Sequence, residues 1–335
     1  MTDGDIHRLN NRLKNQVKTI QNSSDVSEYN KKQLSKFRQY MESQGLTPGR
    51  ISRYLSIWRI ILEKGDENLK LDKAKKEDII RIVGKINQGK IKEMAPGTKK
   101  EYKKGIRKFY TDYMESIKSG FDGEDLCDFF TLTIKKSYLD PKQIPKPKHI
   151  EKMVKQASRT RDKAFIMTLW STGGRIGEIL GLKWKDIELN HNKAKLVFRD
   201  TKTKDDRVIP LLEGYVYLKE LKNKDHKGDN PESFVFRGLR SDKQLTHNGG
   251  SQILKRIREK TDIPERIKTN PHSFRKARAT YLAGKLTDQE LCKFFGWVPG
   301  SEQPRRYIRM GEKDLFSILK TWKPVSITYL QPHIT

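Results

Sequence analysis

A run of prolines divides the chain into two parts. Pro141, Pro145 and Pro147 all fall within residues 137–148, SYLDPKQIPKPK. Proline has no amide hydrogen to donate and drives the residue before it into extended backbone, so no helix continues through this stretch. The chain has 335 residues, which is enough for two domains with cores of their own. We therefore expect one domain at residues 1–140 and a second at residues 141–335.

The first domain is predicted to be helical, with room for a flexible N-terminal extension. Thr47 and Pro48 have the form of an N-cap followed by a first-turn proline, and Thr98 and Glu101 have the form of a capping box. Apolar residues then recur at the spacing of one helix face. They are Ile51, Tyr54, Leu55, Trp58, Ile61 and Leu62, and then Tyr102, Ile106, Phe109, Tyr110 and Tyr113. We expect these stripes to be core, not platforms on which bases stack.

The second domain is predicted to be mixed. Residues 148–183 have a helical pattern, and a β-hairpin follows with its turn at residues 190–193. A third strand at residues 207–211 comes next, and helices resume after Gly214 to about residue 322. The predicted fold class is mainly α with a small antiparallel β-sheet: a helical N-terminal domain plus a mixed α+β C-terminal domain.

Charge is the strongest bulk property of the chain. The net charge is +28 with a pI near 9.9. Residues 1–150 carry 32 basic and 20 acidic residues, and residues 151–335 carry 38 and 22. A generic basic surface or an acidic membrane face would not require both halves to be basic, whereas a long polyanion touching both would. Nucleic acid is the polyanion that this distribution favours.

Several other classes of protein are disfavoured. Cys127 and Cys292 form no CxxC pair and have no histidine cluster nearby, so a disulfide framework or a zinc site is not expected. We expect two reduced, partly buried thiols. No apolar run reaches the roughly 18–20 residues of a membrane helix, and the N-terminus lacks the apolar core of a secretion signal. The protein is expected to stay where it is made.

One motif combines a small-residue turn with an arginine. In residues 171–182, STGGRIGEILGL, Arg175 falls at the start of a helix, where anions are favoured and a guanidinium can clamp a phosphate. Glu178 lies on the same face and can orient that guanidinium, although an ordinary ion pair between residues three apart fits as well.

Two further motifs are ambiguous taken singly. His272 and Arg275 are spaced to project together from a helix, so one phosphate oxygen can meet both, but such a pair is frequent by chance. Trp297 follows a predicted helix end, and Tyr307 comes ten residues later in a basic stretch, where a tyrosine is usually structural.

The ordered set Arg175, His272, Arg275, Trp297 and Tyr307 resembles the C-terminal signature of the tyrosine recombinase, or phage-integrase, family. The surrounding TGGRIGEILGLKWKDI and HSFRKARATYL are similar too, and GWVPGSEQPRRYI most resembles archaeal and archaeal-virus integrases. The resemblance spans residues 171–308. It implies a catalytic domain of the tyrosine recombinase type at about 145–335. The helical domain before it would match the family's core-binding domain only in helical character and charge.

The resemblance also implies a catalytic lysine on the β-hairpin. Lys202 matches that place best, counting back from the strand at 207–211, with Lys204 as the competitor. Both can equally be ordinary hairpin-tip lysines. The family usually has histidine where this chain has Trp297; tryptophan occurs there in some members, and its indole can donate a hydrogen bond but cannot shuttle a proton.

The implied chemistry is DNA cleavage and rejoining without metal, ATP or other cofactor. Tyr307 would attack phosphorus to give a 3′-phosphotyrosyl link, with Arg175 and Arg275 stabilising the transition state. His272 would be the base and Lys202 the acid, Trp297 would pack against the site or donate to a phosphate oxygen, and Glu178 would support Arg175.

The partners would be double-stranded DNA, bound by helices at 47–63 and 98–116, and three further copies in a tetramer on two DNA sites. Residues 313–335, with Phe316, Leu319 and Trp322, would be a segment exchanged between copies.

Alternatives remain open at this stage. A chromosome- or plasmid-dimer resolvase of the same family would carry the same motifs, and a type IB topoisomerase would share the arginines and the tyrosine. A non-catalytic DNA-binding regulator is the rival of a different class, although every expected catalytic position is filled. The expected location is the cytoplasm, on the nucleoid of a prokaryotic, archaeal host, with a virus or mobile element as the source of the gene.

Overall fold

The structure, a computed structural model, describes residues 9–133, 141–199, 206–238 and 242–307. Lys202, Lys204 and the segment 313–335 lie outside the described residues. The described residues belong to two compact units, one within 9–133 and the other within 141–307.

The regular structure described in the first unit is helical. A 3₁₀ turn at Leu71–Lys73 lies between α3 and α4, and a π-helix at Lys108–Met114 joins α5 to α6. The helices are α1 Leu9–Gln21, α2 Glu28–Ser43, α3 Pro48–Lys64, α4 Lys76–Asn87, α5 Pro96–Arg107, α6 Glu115–Ile117 and α7 Gly123–Cys127.

Both predicted apolar stripes lie in the core of this unit, as expected. Of the eleven residues, all but the half-buried Tyr54 are buried. Trp58 and Phe109, one from each stripe, are fully buried, and their rings meet edge to face at 5.1 Å. The capping-box prediction was wrong. Helix α5 begins at Pro96 with Ala95 as its N-cap, so Thr98 already lies in the first turn. The proline at the first helical position decided the start.

The second unit combines helices with one small sheet, and this confirms the predicted fold class. Strands β1 Ile187–Leu189, β2 Ala194–Phe198 and β3 Arg207–Leu211 are antiparallel and ordered β1-β2-β3. The hairpin and the third strand lie where the sequence predicted them. The helices are α8 Pro147–Gln156, α9 Thr160–Thr172, α10 Ile176–Leu180, α11 Tyr215–Lys224, α12 His247–Arg258, α13 Pro271–Ala283 and α14 Asp288–Phe295, with 3₁₀ turns at Pro141–Gln143, Trp184–Asp186 and Pro304–Arg306.

Helices α13 and α14 carry a small apolar cluster of their own beside the main core. It contains Ala279, Leu282, Leu291, Phe295 and Tyr307. Helix α14 is held at its start by a capping box between Thr287 and Glu290. Tyr307, the last residue that the structure describes, therefore packs against both helices.

Some kinds of site are not found in the described part of the chain. It contains no cluster of three or more histidine, cysteine, aspartate or glutamate side chains suited to a metal ion. No described helix is long and apolar enough to span a bilayer. Cys127 and Cys292 are both buried free thiols, and burial raises the pKa of Cys127 to about 12.

Candidate active site

A tight glycine turn places Arg175 between α9 and α10. Helix α9 ends at Thr172, and Gly173 has a left-handed φ of 55°. A Cβ on Gly173 would lie 2.6 Å from the Phe295 ring, so only glycine fits this close approach. Arg175 then stands at the N-cap of α10 with its side chain 48% exposed. The turn is fixed by packing, while the guanidinium reaches solvent.

Glu178 holds Arg175 from one turn away. Its carboxylate accepts the Arg175 backbone N–H at 2.6 Å and Arg175 Nη1 at 2.8 Å. The same carboxylate accepts Nη2 and Nη1 of Arg207 at 2.6 and 3.1 Å. Burial alone would raise the pKa of Glu178, but the hydrogen bonds and charge of Arg207 and Arg175 lower it below its ordinary value. Glu178 is therefore an ionised carboxylate between two arginines.

Arg275 is a buried cation on α13. Asn270 caps that helix through the Ser273 N–H, and Pro271 occupies the first helical position. Arg275 is 6% exposed, and its Nη1 and Nη2 donate to the Gly173 and Phe295 carbonyls at 2.9 and 2.6 Å. Burial, and then the charge of Arg175, lowers its pKa to about 10, so it stays protonated at neutral pH.

His272 lies one helical turn before Arg275, and its side chain is partly open to solvent and partly against the protein. Its pKa is lowered by desolvation against the surrounding protein, and further by the positive charges of Lys276 and Arg275. The imidazole is therefore neutral at physiological pH and can accept a proton.

Trp297 and Tyr307 form one aromatic stack. Helix α14 ends at Phe295, and Gly296 adopts a left-handed φ of 60°. The backbone N–H of Trp297 then donates to the Cys292 carbonyl at 2.9 Å. The Trp297 ring stacks on Phe295 at 4.7 Å and on Tyr307 at 5.3 Å with an interplanar angle of 5°. Tyr307 follows the 3₁₀ turn at Pro304–Arg306 and is 9% exposed.

The two arginines and the aromatic stack converge on the turn at 295–297. Arg275 donates to the Phe295 carbonyl, and Arg175 Nη2 donates to the Gly296 carbonyl at 3.3 Å. The Arg275 guanidinium also lies 5.6 Å from the centre of the Trp297 ring. Neighbouring guanidinium groups repel each other, and an anion bound between them relieves that repulsion. The arrangement suits a phosphate lying beside a tyrosine.

The structure thus brings five of the residues predicted for the site into one connected cluster: Arg175, Glu178, Arg275, Trp297 and Tyr307. His272 is on the same helix as Arg275, and Lys202 lies outside the described residues. The roles of all seven remain predictions.

Arg207 was missed as a site residue. The sequence used it only as a landmark for β3, but the strand's alternation holds a signal. Ile209 and Leu211 are buried while Val208 and Pro210 are exposed, so Arg207 lies on the inward face. A charged residue on that face requires a partner, and Glu178 is that partner.

Comparison with known proteins places the relatives of this chain among tyrosine recombinases and integrases. The first relative is the tyrosine recombinase XerA of Pyrococcus horikoshii, 27% identical over 156 residues, which are 46% of this chain and 53% of the relative. A probable integrase/recombinase protein of Methanocaldococcus jannaschii is 29% identical over 156 residues, 43% of this chain and 44% of the relative. The chain spans about half the length of the curated relatives it matches.

Among solved structures, a lambda integrase tetramer bound to a Holliday junction matches with a TM-score of 0.64. It is 15% identical and covers 83% of this chain and 78% of that one, so the match speaks for the fold alone. The model of the phage integrase family matches residues 138–313, which is more than half of the chain. By that match, and with the arginines and the tyrosine gathered in one site, the chain belongs to the phage integrase family.

Proposed function

We propose that this protein is a site-specific DNA recombinase, an integrase, that cleaves and rejoins DNA through a 3′-phosphotyrosyl link to Tyr307. The observation that carries the proposal is the convergence of Arg175, Arg275 and the Trp297–Tyr307 stack on the turn at 295–297. Family membership and the basic character of both halves of the chain support it.

In the cleavage step, the Tyr307 hydroxyl oxygen attacks phosphorus as the bond from phosphorus to the 5′-oxygen breaks. Arg175 and Arg275 neutralise the non-bridging oxygens, whose charge grows in the transition state. His272 takes the phenol proton, since its lowered pKa keeps it neutral. Lys202 supplies a proton to the leaving 5′-oxygen.

The energy of the broken ester is kept in the phosphotyrosine, so ligation is the same step in reverse and needs no ATP. Trp297 holds the Tyr307 ring and lies against Arg275, and Glu178 holds Arg175. Neither metal nor cofactor enters the proposed reaction.

Strand exchange requires two DNA duplexes and more than one copy of the protein. We infer a homo-tetramer on two double-stranded DNA sites, with residues 313–335 exchanged between copies. The tetrameric lambda integrase on a Holliday junction supports this assembly by similarity of fold. We further propose that the protein is cytoplasmic and nucleoid-associated, and that its gene is carried by a virus or mobile element of an archaeal host. The archaeal sources of the two relatives support the archaeal host.

The first prediction is that Tyr307→Phe abolishes covalent capture of DNA while binding stays within about threefold of wild type. Phenylalanine keeps the ring stacked on Trp297, so only the nucleophilic oxygen is removed. The measurement uses duplexes nicked near the cleavage point, drawn from DNA flanking the gene and from a random library. A denaturation-resistant protein–DNA band reports the intermediate.

Tyr281→Phe is the matched control, because Tyr281 lies on α13 in the same unit and is 41% exposed. It should form the band as wild type does. A band from Tyr307→Phe would mean that another tyrosine is the nucleophile.

If wild type forms no band on any substrate and yet binds DNA tightly, the protein is a non-catalytic regulator. Relaxation of plasmid without a specific site would indicate a topoisomerase, and preference for a chromosomal or plasmid site over a mobile-element junction would indicate a dimer resolvase.

A further inference from the structure

Glu178 is shared by two arginines that differ in exposure. Oε1 accepts from Arg175 Nη1 at 2.8 Å and from Arg207 Nη1 at 3.1 Å. Oε2 accepts from the Arg175 backbone N–H at 2.6 Å and from Arg207 Nη2 at 2.6 Å. Arg207 thus grips both carboxylate oxygens with its planar fork, which fixes the carboxylate plane as well as its position.

Arg207 is itself held on three sides. It stands opposite Phe198 in the β2–β3 register, and its guanidinium lies 5.1 Å from the centre of the Phe198 ring. Its Nη1 fills the space beside Gly296, where a Cβ would collide with it. The side chain is 11% exposed. A fork held this firmly can orient a carboxylate.

The same arginine lies against both residues that anchor Arg175. One anchor is the Glu178 carboxylate, which takes Arg175 Nη1, and the other is the Gly296 carbonyl, which takes Arg175 Nη2. Arg175 has a side chain 48% exposed and needs such anchors to stay in one rotamer. Removal of Arg207 would free the Glu178 carboxylate to turn and would open a space beside Gly296.

We propose that Arg207 is a positioning residue, which fixes Glu178 and the Gly296 turn so that the Arg175 guanidinium is held ready for the phosphate. This inference rests on the proposed function. It gives β3 a second task besides completing the sheet, and it links the strand next to the predicted hairpin lysine with the turn that carries Trp297.

The competing account is that Arg207 contacts the phosphate directly. Its burial and its two bonds to Glu178 disfavour this, since a phosphate would have to displace the carboxylate. Arg175, with a side chain 48% exposed against 11% for Arg207, is the better direct ligand. The two accounts predict different behaviour in a double-mutant cycle.

The test measures the single-turnover rate of covalent capture, and separately the DNA dissociation constant, with the full-length protein. Arg207→Gln should slow capture about 10- to 100-fold, as removal of a supporting partner of a functional side chain commonly does, with binding within about threefold. Arg207→Lys keeps the charge without the fork and should recover part of the rate.

Arg237→Gln is the matched control. Arg237 is also a buried arginine of this unit, 9% exposed at its side chain, but its ion-pair partners among the described residues are Asp225 and Asp242, which are not site residues. It should lower the melting temperature without changing the capture rate of the folded protein. If Arg207→Gln slows capture no more than Arg237→Gln does, the inference fails.

The decisive comparison is made in an Arg175→Ala background. There, Arg207→Gln should slow capture less than about twofold further, because a residue acting through Arg175 has nothing left to position. Additive effects would show direct action of Arg207 and overturn the proposal. A second substrate carries a neutral methylphosphonate at the cleaved position, which removes the charge that Arg175 would stabilise. On it, the loss of capture rate relative to wild type should be smaller for both Arg207→Gln and Arg175→Ala. A rate loss caused by a general folding defect would be the same on both substrates.

Should Arg207→Gln not fold, the same cycle and substrate are applied to Arg207→Lys, and the same outcomes decide. Failure of the proposed function looks different: wild type and Tyr307→Phe would then behave alike, with no covalent product. If only the positioning role of Arg207 is wrong, wild type stays active and Arg207 is dispensable.

Discussion

At the scale of single residues, Arg275 is a buried positive charge in the site. Its described hydrogen-bond partners are two backbone carbonyls, so its charge is solvated but not neutralised by direct contact. Burial and the nearby charge of Arg175 lower its pKa to about 10. A cation in that state gains from a bound anion, because the anion restores what desolvation removed. An anion bound next to Arg275 would therefore stabilise this part of the fold.

His272 leads to a prediction of pH dependence. Its pKa lies below the ordinary value of 6.5, because of desolvation and the positive charges of Lys276 and Arg275. The capture rate should therefore be flat near neutrality and fall on acidification with a midpoint below 6.5. A pH–rate profile of single-turnover capture measures it. His272→Gln should lack this acid limb and be slower by about 100-fold or more at about pH 7.5.

Lys276→Gln provides the companion measurement. Removing one positive neighbour should move the midpoint up towards 6.5, since one cause of the lowered pKa is gone. A midpoint above 6.5 in wild type, or an unchanged acid limb in His272→Gln, would remove His272 from the role of base. The free energy of unfolding should also fall on acidification. Because the pKa of His272 is lower in the folded state than its ordinary value of 6.5, the unfolded state binds the proton more readily below pH 6.5.

Residue by residue, motif text indicated which side chains to consider together but not the contacts between them. Arg175, Arg275 and Tyr307 each contact the turn at 295–297, which contains Trp297, while their roles stay predictions. The Arg207–Glu178 pair joins residues 29 positions apart and depends on how β3 is placed against α10. No local pattern encodes that placement, although an arginine on the inward face of a strand indicates that a partner exists.

At the scale of elements, a proline fixed the start of a helix that a capping-box pattern and apolar spacing did not locate. The periodic stripe in α5 was visible, but the helix begins two residues before the predicted cap because Pro96 pre-sets the first turn. The stripe then runs on into a π-helix at Lys108–Met114. Phe109, Tyr110, Tyr113 and Met114 are all buried there. A π-helix has more residues per turn than an α-helix, so residues at this spacing lie closer together on one side of the helix. The apolar spacing therefore shows which residues are buried, but it does not distinguish an α-helix from a π-helix.

Gly296 yields a prediction at this scale. Its φ is 60°, and a Cβ there would collide with Arg207 Nη1. Gly296→Ala should therefore lower the free energy of unfolding by about 1–3 kcal/mol through backbone strain and should also displace Arg207. Chemical denaturation measures the first effect, and the single-turnover capture rate measures the second, which we expect to fall at least about tenfold.

Gly300→Ala is the control for Gly296→Ala. Gly300 has a similar φ of 76°, but nothing lies within 4 Å of a Cβ placed there. It should show the strain cost, about 1–2 kcal/mol, with little change of rate. Equal rates in both variants would mean that crowding of Arg207 has no consequence for cleavage.

At the scale of the whole molecule, the prolines led to the predicted division into two domains, and turn residues and alternation led to the predicted sheet, which the fold confirms. These are local signals, and each unit has a core of its own that satisfies them. The tertiary packing that brings α10, α13, α14 and β3 around one site is not local. It emerged from the sequence only through resemblance to a family, since physical patterns in one chain do not specify which helices meet.

The net charge of +28 supports the last prediction, on DNA binding by the intact chain. Helix α5 brings Lys99 and Lys103 close together, and burial together with the charge of Lys99 lowers the pKa of Lys103. Such crowding is unfavourable until phosphates neutralise it. The logarithm of the association constant should fall steeply with the logarithm of salt concentration. Lys99→Gln with Lys103→Gln should reduce that slope by about 0.9 for each phosphate that the variant no longer neutralises.

The control for this pair is Lys224→Gln, a side chain on α11 that is 65% exposed and already paired with Glu220. Its slope should match wild type, because a surface lysine with its own carboxylate releases no counterion on binding. The weakening in the α5 variant should be equal on specific and random duplexes, since phosphate contacts carry no base code. If the salt slope of the α5 variant equals that of wild type, α5 does not contact DNA phosphates. If binding weakens on one DNA sequence only, α5 contacts bases.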